Sequence, residues 1–166
     1  MSKKSVQQEI ESLAVELGRK ALERKAVIAT AESCTGGGIS WTITQVPGSS
    51  AWFDRGFVVY TAQSKSEMLG VDPALISVCG VVSEPTAGEM ARGAVQRSEA
   101  NVSVSVTGIA GPSGAEPGKP VGTVCFGFVR KGEPARTVTE HFSGDRKAVR
   151  EQAVAFALRG LIEILG

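Results

Sequence analysis

Glu32-Ser33-Cys34-Thr35-Gly36-Gly37-Gly38 places two hydroxyls and three consecutive glycines directly behind an apolar run. Glycine lets backbone approach a ligand closely, and the N–H groups of a following helix start favour an anion such as phosphate. Thr107-Gly108-Ile109-Ala110-Gly111-Pro112 repeats that chemistry behind Val102-Ser103-Val104-Ser105-Val106. A single loop of this kind is a common structural join. Two of them, hydroxyl-rich and nearly uncharged, point to one shared polar cleft at strand ends, where open α/β sheets bind ligands. Ser33, Thr35, Gly36, Gly37, Thr107 and Gly108 are therefore candidate substrate-binding positions.

A third region, Pro47-Gly48-Ser49-Ser50 followed by Tyr60 and Lys65, holds the parts of a serine hydrolase. Such chemistry needs a nucleophile, a group to take its proton and donors for the oxyanion. The only histidine, His141, lies far along the chain, so lysine is the available base. Burial disfavours the charged form of lysine and lets it accept a proton. On chemistry alone, Ser50 and Ser33 are both open as nucleophile. Arg146, in Ser143-Gly144-Asp145-Arg146 at the start of the last predicted helix, suits a phosphate, because a helix start and a guanidinium both favour one.

Composition narrows the function classes. The 166 residues fit a single domain, residues 1–166, and 42% hydrophobic with 21% charged residues is ordinary globular composition. Three scattered cysteines and one histidine are hard to assemble into a zinc cluster, so no metal and no cofactor are expected. A net charge of +1, with acids and bases interspersed, gives no footprint for nucleic acid. Lys3-Lys4 has no apolar run behind it and no stretch approaches a membrane span, so neither signal peptide nor membrane is expected. The expected location is the cytoplasm.

The positioning elements follow from periodicity. Ile10, Leu13, Ala14, Leu17 and Ala21 repeat at helical spacing, and so do Val149, Ala153, Ala157, Leu161 and Leu165. Strands are expected at Ala26–Thr30, Phe57–Tyr60 and Val102–Val106, with a late hairpin over Val121–Arg130 and Ala135–Phe142. Helices are expected from Ile39 to Val46, Ser64 to Leu69 and from an N-cap at Ser83. Strands alternating with helices give an α/β fold: a three-layer α/β/α sandwich with a mixed, mostly parallel sheet.

Ala31-Glu32-Ser33-Cys34-Thr35-Gly36-Gly37, Pro47-Gly48-Ser49-Ser50, Gly80-Val81-Val82-Ser83-Glu84, Thr107-Gly108-Ile109-Ala110-Gly111-Pro112 and Lys119-Pro120-Val121-Gly122-Thr123-Val124 closely resemble the C-terminal domain of the competence/damage-inducible protein CinA. The motifs run in the family's order over most of the chain, which looks like the stand-alone nicotinamide-nucleotide amidase form. The resemblance implies a serine/lysine amidohydrolase that converts nicotinamide mononucleotide to nicotinate mononucleotide and ammonia. It implies a small nucleotide as substrate, no cofactor and a homodimer. It places the family's serine, tyrosine and lysine on Ser50, Tyr60 and Lys65, with Ser50 attacking, Lys65 as base and Tyr60 relaying a proton. It also puts Ser33 and the Thr107-Gly108 loop at the site. The family usually reads Tyr-Ser-Asn-x-x-Lys, whereas this chain has Tyr60-Thr61-Ala62-Gln63-Ser64-Lys65, so a donor and acceptor are lost at Ala62. The rival class is a catalytically silent nucleotide-binding regulatory module, which would share the phosphate-binding loops.

Overall fold

The computed structural model describes residues 2–166. The chain opens with α1 (Val6–Glu23), whose first turn is closed by a reciprocal capping box between Ser5 and Gln8. Its stripe of Ile10, Ala14, Leu17 and Ala21 is buried, and α6 (Arg146–Leu165), capped by Asp145, packs alongside it. Between them lie β1 (Ile28–Glu32), α2 (Gly38–Thr44), β2 (Phe53–Val58), α3 (Ala62–Leu69), α4 (Pro73–Cys79), α5 (Glu84–Gln96), β3 (Val102–Gly108), β4 (Thr123–Arg130) and β5 (Arg136–His141).

The five strands form one sheet in the order β2-β1-β3-β4-β5. β1 runs parallel to β2 and β3, whereas β3–β4 and β4–β5 are antiparallel. The sheet is thus evenly mixed rather than mostly parallel. The reason lies in residues 109–122, a loop with no crossover helix, so the chain returns beside β3 in the opposite direction.

Alternation along the strands sorts the helices into two layers. Ile28 of β1, Val102, Val104 and Val106 of β3, and Val124, Phe126 and Phe128 of β4 pack with α1, α2 and α6. Ala29 and Ala31 face the other layer with Leu69, Ile76, Met90 and Ala94 of α3, α4 and α5. On that second face β3 carries serines, which are buried but satisfied: Ser103 and Ser105 donate to the carbonyls of Ala91 and Ala87 in α5.

Most elements match their sequence signals, with two differences. β2 begins at Phe53, earlier than the apolar run Phe57–Tyr60, because at the sheet edge Asp54 and Arg55 pair with each other and with the backbone of Glu99 and Arg97. α4 was not expected; Asp72 caps it and Pro73 occupies its first position, a start signal carried by two residues only.

Candidate active site

β1, β2 and β3 all end at one rim, and a cavity of about 440 Å³ opens there. That volume lies in the range of about 300–1,000 Å³ usual for small-molecule sites. Ser33 follows β1 directly and is held by its N–H, which donates to Val106 O at 3.0 Å. Tyr60 stands just past β2, and Thr107 and Gly108 close β3. The loop from Ile109 to Glu116 and Arg146 complete the wall.

Lys65 reaches the cavity floor from α3. Thr61 caps that helix, its hydroxyl accepting from Ser64 N at 3.1 Å, so Lys65 falls on the inward face one turn later. The side chain is 1% exposed. Its Nζ donates to Val59 O at 2.9 Å and to Ser33 Oγ at 3.3 Å. Desolvation holds its pKa below the ordinary lysine value of 10.5. Cys34 counts the other way only as a thiolate, and burial pushes that thiol up to about 12, so at neutral pH it is an uncharged neighbour. The same shift removes Cys34 as a competing nucleophile.

Six of the residues singled out by sequence thus share one wall: Ser33, Tyr60, Lys65, Thr107, Gly108 and Arg146. Their individual jobs differ from the expectation in places. Tyr60, 60% exposed, turns its hydroxyl to Arg146 Nη2, which donates to it at 3.0 Å, while Arg146 Nη1 donates to Gly111 O at 2.9 Å. Thr107 uses its hydroxyl to hold Val81 O at 2.8 Å. Gly108 is small because a Cβ there would stand 2.7 Å from Val124 Cγ2, so β4 dictates it rather than a ligand.

Ser50 does not join them. It sits exposed in a short 3-10 turn, Ser49–Ala51, between α2 and β2. That turn delivers Trp52, 2% exposed, onto Gly18 of α1, where any side chain would collide with the indole. Trp52 O then accepts from Ile28 N, the first residue of β1, whereas Ser33 follows the last. Five strand residues separate those two ends, about 17 Å at strand rise. The lysine expected beside Ser50 is bonded to Ser33 instead.

Thr35, Gly36 and Gly37 also leave the cavity. The Glu32 carboxylate occupies the start of α2, accepting from Ile39 N at 2.8 Å and Ser40 N at 3.0 Å. Thr35 Oγ1 donates to the same carboxylate at 2.8 Å, and Arg150 Nε donates to Cys34 O at 3.0 Å from behind. The helix start expected to hold a substrate phosphate is filled by the protein's own anion.

A model of the CinA C-terminal domain matches residues 10–165. The chain belongs to the CinA C-terminal domain family. It is 48% identical over 153 residues to a nicotinamide-nucleotide amidohydrolase of Escherichia coli strain K12, spanning 92% of this chain and 93% of that protein. A nicotinamide-nucleotide amidohydrolase of Pseudomonas putida is 46% identical, over 93% of this chain and 96% of its own length. The crystal structure of a competence/damage inducible protein from Agrobacterium tumefaciens superposes with a TM-score of 0.92 at 40% identity, covering 99% of each chain.

Within this CinA-family cavity the sequence reading overlooked Ser113, Gly114 and Glu116. Their signal was the Gly- and Pro-rich run 111–120, which reads as a plain loop until β3 and β4 bring it over Ser33. Ala62, where the resemblance leads one to expect an asparagine, opens α3 and lines the cavity.

Proposed function

We propose that this chain is a nicotinamide-nucleotide amidohydrolase, converting nicotinamide mononucleotide and water to nicotinate mononucleotide and ammonia, with Ser33 as nucleophile and Lys65 as its base. The observation that carries the mechanism is the buried Lys65 amine bonded to the Ser33 hydroxyl on the floor of the cavity. The names of the two amidohydrolase relatives support the reaction.

A neutral amine has two N–H groups and one lone pair. One N–H stays on Val59 O, which aims the lone pair at Ser33. The Ser33 hydroxyl then donates to Nζ and its oxygen attacks the carboxamide carbon. The backbone N–H groups of Ala110 and Gly111, on the cavity wall, make no hydrogen bond within the described residues and supply donors for the oxyanion. Collapse breaks the C–N bond, the Lys65 ammonium returns its proton to the leaving nitrogen, and ammonia departs from an ester on Ser33. Water, deprotonated by Lys65, attacks that ester and releases the acid and the free serine. Tyr60 takes no proton in this scheme. With Arg146 it forms a polar clasp at the rim that suits the substrate phosphate.

Cytoplasmic placement fits a nucleotide substrate and three free cysteines, Cys34, Cys79 and Cys125. No helix among the described residues is long and apolar enough to cross a membrane.

The test is ammonia release from nicotinamide mononucleotide by the purified protein, before and after exhaustive chelation. Among the described residues no three His, Cys, Asp or Glu side chains gather in one place. Full activity is expected to survive the chelator. Loss restored by zinc would move the reaction to a metal-bound water and end the serine/lysine assignment.

A further inference from the structure

Glu32 stands next to the nucleophile in sequence, yet its side chain points away from the cavity and is completely buried. Both carboxylate oxygens are wrapped by donors. Oε1 accepts from Thr35 Oγ1 and Ile39 N, each at 2.8 Å. Oε2 accepts from Ser40 N at 3.0 Å and Ser40 Oγ at 2.8 Å, and Ser40 Oγ accepts in turn from Thr30 Oγ1 at 2.6 Å, which leaves Thr30 3.3 Å from Oε2. Donors surround both oxygens, Thr30 acting through the Ser40 hydroxyl. On the far side β2 makes room for the cluster with Gly56, where a Cβ would lie 2.2 Å from Ser40 Oγ and 2.7 Å from Thr30 Oγ1.

The donors come from both sides of the Ser33 turn. Thr30 is in β1, Thr35 is in the turn itself, and Ile39 and Ser40 are in the first turn of α2. The main chain of Glu32 is fixed as well, since its carbonyl accepts from Val59 N at 2.8 Å. Val59 is also the residue whose carbonyl holds Lys65 Nζ. One peptide of β1 therefore ties the base's anchor to the turn that carries the nucleophile. Gly36 and Gly37, at φ +59° and +97°, let the turn close around the carboxylate in a left-handed conformation.

We propose that Glu32 is a positioning residue for catalysis: its carboxylate, by gathering Thr30, Thr35, Ile39 and Ser40, sets the Ser33 turn so that Oγ meets Lys65. The inference rests on Ser33 and Lys65 being the reacting pair. Glu32 touches neither substrate nor the reacting atoms, so removing it leaves binding at the cavity rim intact and loses the alignment needed for attack. A displacement of about 1 Å at a reacting atom commonly costs ~10²-fold in rate.

Glu32→Gln tests this with little change of volume. The amide puts two N–H donors where only acceptors fit. The measurement is kcat and KM for ammonia release from nicotinamide mononucleotide, beside the thermal midpoint, for the wild type, Glu32→Gln, Glu32→Ala and Ser33→Ala. Glu32→Gln is expected to lose about 10- to 100-fold in kcat with KM within about 3-fold of wild type. In Glu32→Ala, added formate or acetate is expected to recover at least about 5-fold of the lost kcat, because the small carboxylate re-enters the ring of donors. Neither anion should help Ser33→Ala. Wild-type kcat in Glu32→Gln would overturn the proposal. So would a Glu32→Gln enzyme with a lowered thermal midpoint and a KM raised well beyond 3-fold alongside its lost kcat, with no carboxylate rescue in Glu32→Ala, which is the signature of a purely structural residue. If Ser33→Ala itself keeps wild-type activity, the underlying pair is wrong, and that failure is visible in a different variant.

Discussion

Burying an amine costs free energy, and Lys65 shows where this chain accepts the cost. Its native pKa lies below the unfolded value, so wherever the unfolded chain is protonated, folding must strip or desolvate that charge. The penalty is full below the native pKa and disappears as pH rises towards 10.5. Lys65→Met keeps the stem and removes the penalty. It should raise Tm at pH 7 by about 3 °C while abolishing turnover, and the advantage should shrink as the pH approaches 10. A Tm difference that widens with pH would mean the native lysine is not the disfavoured base described here. Lys65→Arg belongs beside it: a guanidinium cannot give up its proton, so the variant should be nearly inactive at every pH. In the wild type the acidic limb of kcat/KM should reflect an amine titrating below the ordinary lysine value.

At the scale of elements, two helix starts shape the cavity mouth. α6 begins at Arg146, behind an Asp145 cap, and throws its guanidinium across to Tyr60 and the Gly111 carbonyl. If that clasp takes the substrate phosphate, Arg146→Ala loses charge-assisted hydrogen bonds worth about 1.5–3 kcal/mol, or about 10- to 100-fold in KM. Nicotinamide riboside, which lacks the phosphate, should be processed equally by wild type and variant. An equal loss on both substrates would place the phosphate elsewhere. α3 starts just behind Thr61, whose hydroxyl caps the helix that carries Lys65. Periodicity makes α1 and α6 plain in the sequence, because their buried stripes are long, and the Ser83 cap marks α5. α4 is hidden because seven residues show barely two turns of pattern, and the start of β2 is hidden because the charged Asp54 and Arg55 break an apolar run.

Across the whole molecule, the two layers of helices and the strand ends determine which polar loops can meet. Residue type and nearness to a strand end were enough to single out Ser33, Lys65 and the Thr107-Gly108 loop, and a helix start marked Arg146; all of them line the cavity, whereas Thr35, Gly36 and Gly37 do not. The sequence could not tell which end of a strand a loop occupies relative to the others. Ser33 and Ser50 both sit in short motifs that carry glycine and hydroxyls, yet one leaves the end of β1 and the other precedes the start of β2, in strands that run parallel. Glu32 was equally opaque, because a carboxylate beside a glycine-rich turn reads as solvated until the helix start folds over it. The proposed chemistry depends on this placement, so the most direct test is a paired comparison of Ser33→Ala and Ser50→Ala in ammonia release from nicotinamide mononucleotide. Ser33→Ala should lose several orders of magnitude in kcat, up to ~10⁶-fold, with its thermal midpoint unchanged. Ser50→Ala should stay within about 3-fold of wild type, since Ser50 is exposed in the turn that meets the start of β1, at the opposite end of that strand from Ser33, and does not line the cavity. The opposite pattern, an active Ser33→Ala and a dead but folded Ser50→Ala, would contradict the account.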